Sequence, residues 1–219
     1  MLIPRPIEAL IVFIIVTALV QFYIDLGHPQ QSIVAKAMQV NHTMDDHTSG
    51  HICMLTANGT ALAWKKETLL DWNDFKAEEK NSPGQAVATS NTGFGYTITK
   101  KGFKPQGYVF AHFYCSGSWK KPGLLSDQVL AHEQRHFDIC ELYSRKFLAS
   151  IDALKTEQNF NFATLSTTYD ELNKEFAGFQ EQYDEETKHS MDAFAQKLWN
   201  GRIKRELEQL EQYALNRNF

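Results

Sequence analysis

The chain has 219 residues, 43% of them apolar and 22% charged, with a formal net charge of −4. That balance lies near the globular average and excludes wholesale disorder, a collagen-like repeat and a polytopic membrane protein. The lysine pairs Lys65/Lys66, Lys100/Lys101 and Lys120/Lys121 are scattered rather than gathered into a stripe, so nothing calls for nucleic acid as a partner. Three cysteines, Cys53, Cys115 and Cys140, are too few for a disulfide scaffold. One bridge plus one free thiol suits an oxidising compartment, although the sequence does not choose the pair, and without a CxxC a cysteine-rich zinc module is not expected.

Ala9 to Ile24 form an uncharged, mostly apolar run, preceded by Arg5 and followed by Asp25. The run predicts an N-terminal hydrophobic helix, either a signal-peptide core or a short membrane anchor. No small-x-small cleavage site follows closely, which favours an uncleaved anchor. With Arg5 inside, the rest of the chain is expected on the periplasmic or extracellular side of the cell membrane. Secretion after signal cleavage is the alternative. Residues 27–50 turn polar and read as a linker that cannot bury enough surface to fold alone. His42, His47 and His51 lie in or beside it, and a solvated tether is preferred there to a metal-binding tract.

Residues 51–219 read as one α+β domain. Strand signals cover Ala61 to Trp64, Ala86 to Thr99 and the aromatic, β-branched segment Gly107 to Tyr114, with a loop at Asn81-Ser82-Pro83-Gly84. After Pro122-Gly123 the periodicity turns helical. The first helix is expected from about Ser126 to Leu154, and a second carries Phe162, Leu165, Tyr169, Leu172, Phe176, Phe179 and Tyr183. A third carries Trp199, Ile203, Leu207, Leu210 and Ala214. The expected architecture is a small antiparallel sheet followed by three helices.

The chemistry concentrates in Leu130-Ala131-His132-Glu133-Gln134-Arg135-His136-Phe137-Asp138, which contains HExxH. Histidines at i and i+4 share one helix face about one turn apart, so both imidazoles can converge on one Zn2+ while Glu133 reaches a water in its open position. Arg135, a charged residue between Glu133 and His136, must point away from the metal. Helical phase prunes the candidates for a third ligand. Glu141 faces the opposite side, Asp138 diverges, and Cys140 lies a turn beyond His136 and suits a packed thiol. Downstream, Tyr183-Asp184-Glu185-Glu186-Thr187-Lys188-His189-Ser190 follows the end of the second helix, expected near Tyr183, and puts His189 in a constrained turn where a helix start keeps its imidazole neutral. His189 is therefore the expected third ligand, with His112 as the rival.

These pieces resemble the bacterial secreted zinc-dependent protease family catalogued as domain of unknown function 922. The resemblance rests on Trp72-Asn73-Asp74-Phe75-Lys76, Ser118-Trp119, the block from Leu130 to Ile139 with Glu141-Leu142-Tyr143, and Tyr183-Asp184 with Thr187 and His189. It departs from the family pattern at Ala77 and Ser190, where glycines are expected. The resemblance implies a zincin-like metalloprotease. In that reading His132, His136 and His189 hold zinc, Glu133 is the catalytic base, and Tyr183 is a candidate donor to the oxyanion. Asp138 and Asp184 are candidate carboxylate partners for the imidazole N–H groups. A peptide or protein substrate would pair with a sheet edge, with Gly107 to Tyr114 as the candidate. Two alternatives stand beside this: a membrane-tethered module in which zinc is structural, and a zinc hydrolase of a non-peptide envelope amide.

Overall fold

The computed structural model describes residues 51–219 apart from 68, 80–85 and 102–103. The anchor expected at residues 1–26 and the linker at 27–50 lie outside the described residues. Among the described residues no helix is long and apolar enough to cross a membrane. Residues Thr48–Phe219 make a compact unit.

The expected architecture is found. Among the described residues six strands, β1 (Met54–Thr56), β2 (Gly59–Ala63), β3 (Ala88–Thr89), β4 (Thr92–Lys101), β5 (Lys104–Tyr114) and β6 (Trp119–Lys120), precede three helices, α1 (Asp127–Thr156), α2 (Phe162–Thr187) and α3 (Ala193–Gln209). β1, β2, β5 and β4 form a four-stranded antiparallel sheet in that order, and β3 pairs with β6. Ser126 caps α1 by accepting from the Val129 amide, as a serine before an amphipathic run should. α2 runs one turn beyond Tyr183, to Thr187, so Asp184 is helical rather than part of a loop. α3 ends at Gln209, before a single 3-10 turn at Glu211–Tyr213.

Alternation along β5 settles which face meets the helices. Val109, Ala111 and Phe113 are buried against α1, whereas Phe110, His112 and Tyr114 line the other face, with the His112 ring stacked 4.4 Å from Phe110. Burial lowers the pKa of His112, and its ring lies on the sheet face away from α1. Phe94 of β4 meets Tyr143 and Phe147 of α1 and Tyr169 and Phe176 of α2 at ring separations of 5.4–6.3 Å. Each such pair adds about 0.5–1.5 kcal/mol beyond the area it buries. The Phe179 ring then passes the contact on to Trp199 of α3.

β5 is not a free edge. Residues 112–114 pair with β2, and the C-terminal tail fills the remainder: the Gly107 amide donates to the Phe219 carbonyl, and the Val109 amide to the Arg217 carbonyl. A Cβ on Gly107 would lie 2.0 Å from the Thr97 carbonyl oxygen and 2.6 Å from the Phe219 ring, so this close approach needs glycine. The expected pairing of substrate with Gly107 to Tyr114 is therefore corrected, because both sides of that strand are already occupied. The tail also delivers Arg217 to the fully buried Glu141. There Arg217 Nη2 donates at 2.6 Å and Arg145 Nε at 2.7 Å to the same carboxylate oxygen. Cys53 and Cys115 form a disulfide that ties the start of the domain to the end of β5, and Cys140 is a buried thiol whose pKa burial raises strongly.

Removing the acid from this buried ion cluster takes away the carboxylate that Arg217 and Arg145 share, although Arg145 keeps Glu211, at a cost of about 3–5 kcal/mol. Glu141→Ala should therefore lower Tm by roughly 10 °C in a thermal melt. Bound metal should stay unchanged, because Glu141 faces away from the histidines.

Candidate metal centre

His132 and His136 project from the second and third turns of α1, as their spacing requires, with rings 4.9 Å apart at 87° and both residues buried. Their Nε2 atoms are 3.3 Å apart. Asp184, in the last turn of α2, places Oδ1 3.0 Å from each of them. A tetrahedral ion with bonds of about 2.0–2.1 Å holds its ligand atoms roughly 3.3–3.4 Å apart, close to this spacing.

The other nitrogens decide what these contacts are. His132 Nδ1 donates to Gln196 Oε1 at 3.0 Å, and His136 Nδ1 donates to Gln180 Oε1 at 2.6 Å. The Gln180 amide nitrogen is committed to the His136 carbonyl and to Thr92 Oγ1, and that of Gln196 to Asn200 Oδ1, so each carbonyl oxygen faces its imidazole. With hydrogen on Nδ1, a neutral imidazole presents a lone pair at Nε2. Two imidazole nitrogens and a carboxylate oxygen thus converge on one point, an arrangement that could hold a metal ion.

The local field has the same sign. Burial works to lower the pKa of His136, but the hydrogen bond to Asp184 and the charge of Glu133 raise it. Burial likewise works to raise Asp184, and its contacts to His132 and His136 carry it well below the usual carboxylate range, so it is an anion at neutral pH. Glu133 is buried, and its Oε2 is one of two buried side-chain polar atoms among the described residues without a hydrogen-bond partner. A buried carboxylate oxygen with no donor is costly unless a further group meets it. His132, His136 and Asp184 could hold a divalent metal, with this orphaned Glu133 oxygen near them.

The remaining candidates fall into place around this core. Tyr183 stacks on His132 at 4.6 Å and 17°; its buried hydroxyl donates to the His132 carbonyl, and burial raises its pKa strongly. The ring forms the wall behind the histidine. Asp138 does not approach an imidazole: it accepts from Trp64 Nε1 and Gln134 Nε2 and pairs with Arg135, which thereby points away from the centre, as its place in the motif requires. Asp184 is on the Nε2 side of the histidines, where a metal would be bound, and the glutamines hold the Nδ1 side expected of the carboxylates. His51 rests on Asp74, whose carboxylate also accepts from the Asp71 amide and closes the cap of the Trp72–Asp74 turn.

His189 lies at the rim, two-thirds exposed, with Nδ1 3.5 Å from Asp184 Oδ1. It sits in a turn of three consecutive left-handed residues, Lys188, His189 and Ser190, with φ of 50°, 50° and 75°. Each costs roughly 1–2 kcal/mol without glycine. The glycine that the resemblance expects at position 190 would relieve this strain; Ala77 is not among the left-handed residues. The turn is held by the His189 amide donating to the Asp184 carbonyl, the Asp192 amide to Thr187, and Gln128 of α1 to the Ser190 carbonyl.

No protein-family model matches the chain, and no curated protein or solved structure is significantly similar to it. The reading of the centre rests on its own geometry. Sequence reasoning missed Gln180 and Gln196 and gave Asp184 a different place. The signals were present: Gln180, Asp184 and Thr187 follow one another on a single face of α2, and Gln196 occupies the inward stripe of α3 with Trp199 and Ile203.

If Gln180 fixes the His136 tautomer, Gln180→Leu should weaken metal binding by roughly 10–100-fold, the usual effect of losing a hydrogen-bond partner of a ligand. Chelator competition on the purified protein would measure it; unchanged affinity would remove Gln180 from this role.

Proposed function

We propose that this chain is a zinc-dependent metallopeptidase, exported and held at the membrane by its N-terminal segment. The observation that carries the reading is the unpartnered, buried carboxylate oxygen of Glu133 beside His132, His136 and Asp184. His132, His136 and Asp184 hold the metal, and His189 stands at the open side. Zinc held there would lower the pKa of a bound water to about 7. Glu133 accepts the proton of the attacking water and delivers it to the departing amine. Tyr183, Gln180 and Gln196 keep the imidazoles oriented. Two histidines and one carboxylate also suit non-haem iron. The neighbouring Glu133, which such an iron site does not need, favours hydrolysis.

Glu133→Gln should retain zinc and thermal stability while hydrolysis of a peptide library falls by roughly two to four orders of magnitude. Equal turnover by wild type and variant would sink the mechanism in favour of a structural zinc module. Metal analysis of two further variants sorts the ligands: Asp184→Ala should lose zinc, and His189→Ala should keep it while losing activity. Zinc loss in His189→Ala would put this histidine in the ligand set.

The Cys53–Cys115 disulfide supports the exported topology, since such bonds persist in oxidising compartments. A reporter fused after Phe219 should behave as exported, and cytoplasmic behaviour would overturn the topology.

A further inference from the structure

The outward face of α3 and the turn before it differ from the rest of the surface. Met191, Phe194 and Leu198 are 67%, 73% and 59% exposed. Phe194, Leu198, Gly201 and Arg205 follow one another at helical spacing along one line, roughly opposite the buried Gln196, Trp199 and Ile203. They border an open groove of about 630 Å³ whose lining also includes Lys197 and Arg202. Its one acidic lining residue, Glu186, is already engaged by the Trp199 indole and the Gln182 amide. Arg202 and Lys204 pair with Glu206 and Glu208 along the helix, which leaves Lys197 and Arg205 without an ion pair among the described residues.

We propose that this face docks on an anionic lipid bilayer, with Phe194 and Leu198 inserted at the interface and Lys197 and Arg205 against lipid headgroups. Exposed apolar side chains in line with unpaired cations form the pattern of an interfacial helix, and here it stands on a chain whose net charge is −4. The anchor proposed at Ala9 to Ile24 points to a bilayer as the surface, because a linker of residues 27–50 would span at most about 80 Å. The face adjoins the metal centre through the turn that carries His189 and Met191, so docking would present the centre to polypeptide segments lying close to the membrane. This consequence rests on the proposed peptidase reading, whereas the docking rests on the proposed anchor alone.

The 51–219 domain, which carries its own hydrophobic core, should be mixed with phosphatidylcholine vesicles and with vesicles that also contain phosphatidylglycerol. It should sediment with the anionic vesicles and be released by high salt. Phe194→Glu with Leu198→Glu should abolish binding, and Lys197→Gln with Arg205→Gln should weaken it by roughly thirtyfold, the effect of two basic residues at a membrane surface. All four positions lie on the outside of α3, so metal content and Tm should match wild type and show that the variants fold. Absence of wild-type binding to anionic vesicles, or equal binding by the Phe194/Leu198 variant, would overturn the proposal. A wild-type dimer in solution that the Phe194/Leu198 variant dissociates would overturn it too, by assigning the face to a second copy. Vesicle binding needs no catalysis, so a failed Glu133→Gln test and a failed docking test are separate results.

Discussion

Two imidazole lone pairs and an ionised carboxylate aimed at one buried point form a constraint that the rest of the molecule has to meet. Unless a metal ion or a proton bridges them the three acceptors repel, and the charge of Glu133 adds to the negative field around His136. The centre is also where the helices join: α1 supplies the histidines, α2 supplies Asp184 and Gln180, and α3 supplies Gln196. A cation bound there stabilises the packing of three helices at once, so binding free energy becomes folding free energy. The aromatic chain from Phe94 through Phe176, Phe179 and Trp199 sets the same helices from the side of the sheet, independently of any ion.

Strain is concentrated beside the centre. Three left-handed residues without glycine would unwind a free turn, and this one persists because backbone bonds to Asp184 and Thr187 and the tie from Gln128 hold it at both ends. The bond from the His189 amide to the Asp184 carbonyl fixes the backbone of Asp184 while it turns the chain, so the strained segment keeps Asp184 and His189 at one rim. Strain that the surroundings over-determine is common where a site must be rigid.

The fold was largely legible because each element carries a simple period. The alternation of Val109, Ala111 and Phe113 marks a strand with one buried face, and the steps of three and four from Phe162 to Tyr183 mark a helix. HExxH was legible for the same reason, since i and i+4 define a shared face before any tertiary contact exists. The partners of the histidines were not, because Gln180 and Gln196 come from other helices, and a glutamine on an inward face reads as a minor defect in an apolar stripe. Asp184 was misplaced because the helix was expected to end at Tyr183; one further turn swings its carboxylate to the Nε2 side. The substrate edge failed for a tertiary reason, in that residues 217–219 return to cover β5.

Whether the centre is structural or catalytic turns on what is left unsatisfied. A structural zinc site is closed, and every polar group in it finds a partner. Here the ligand side is tightly satisfied, with both Nδ1 atoms bonded and Tyr183 locked against His132, while Glu133 keeps a buried oxygen with no donor. An apolar residue at position 133 would avoid that cost, so a purely structural role gives no reason for a carboxylate there. The cost is understandable if the missing partner is a reactant. A water or a peptide carbonyl that arrives only during turnover cannot be replaced by a permanent hydrogen bond without blocking the site. The strained turn and the exposed His189 lie at one rim beside Asp184, and together with the unsatisfied oxygen they are the ground on which a hydrolase is proposed.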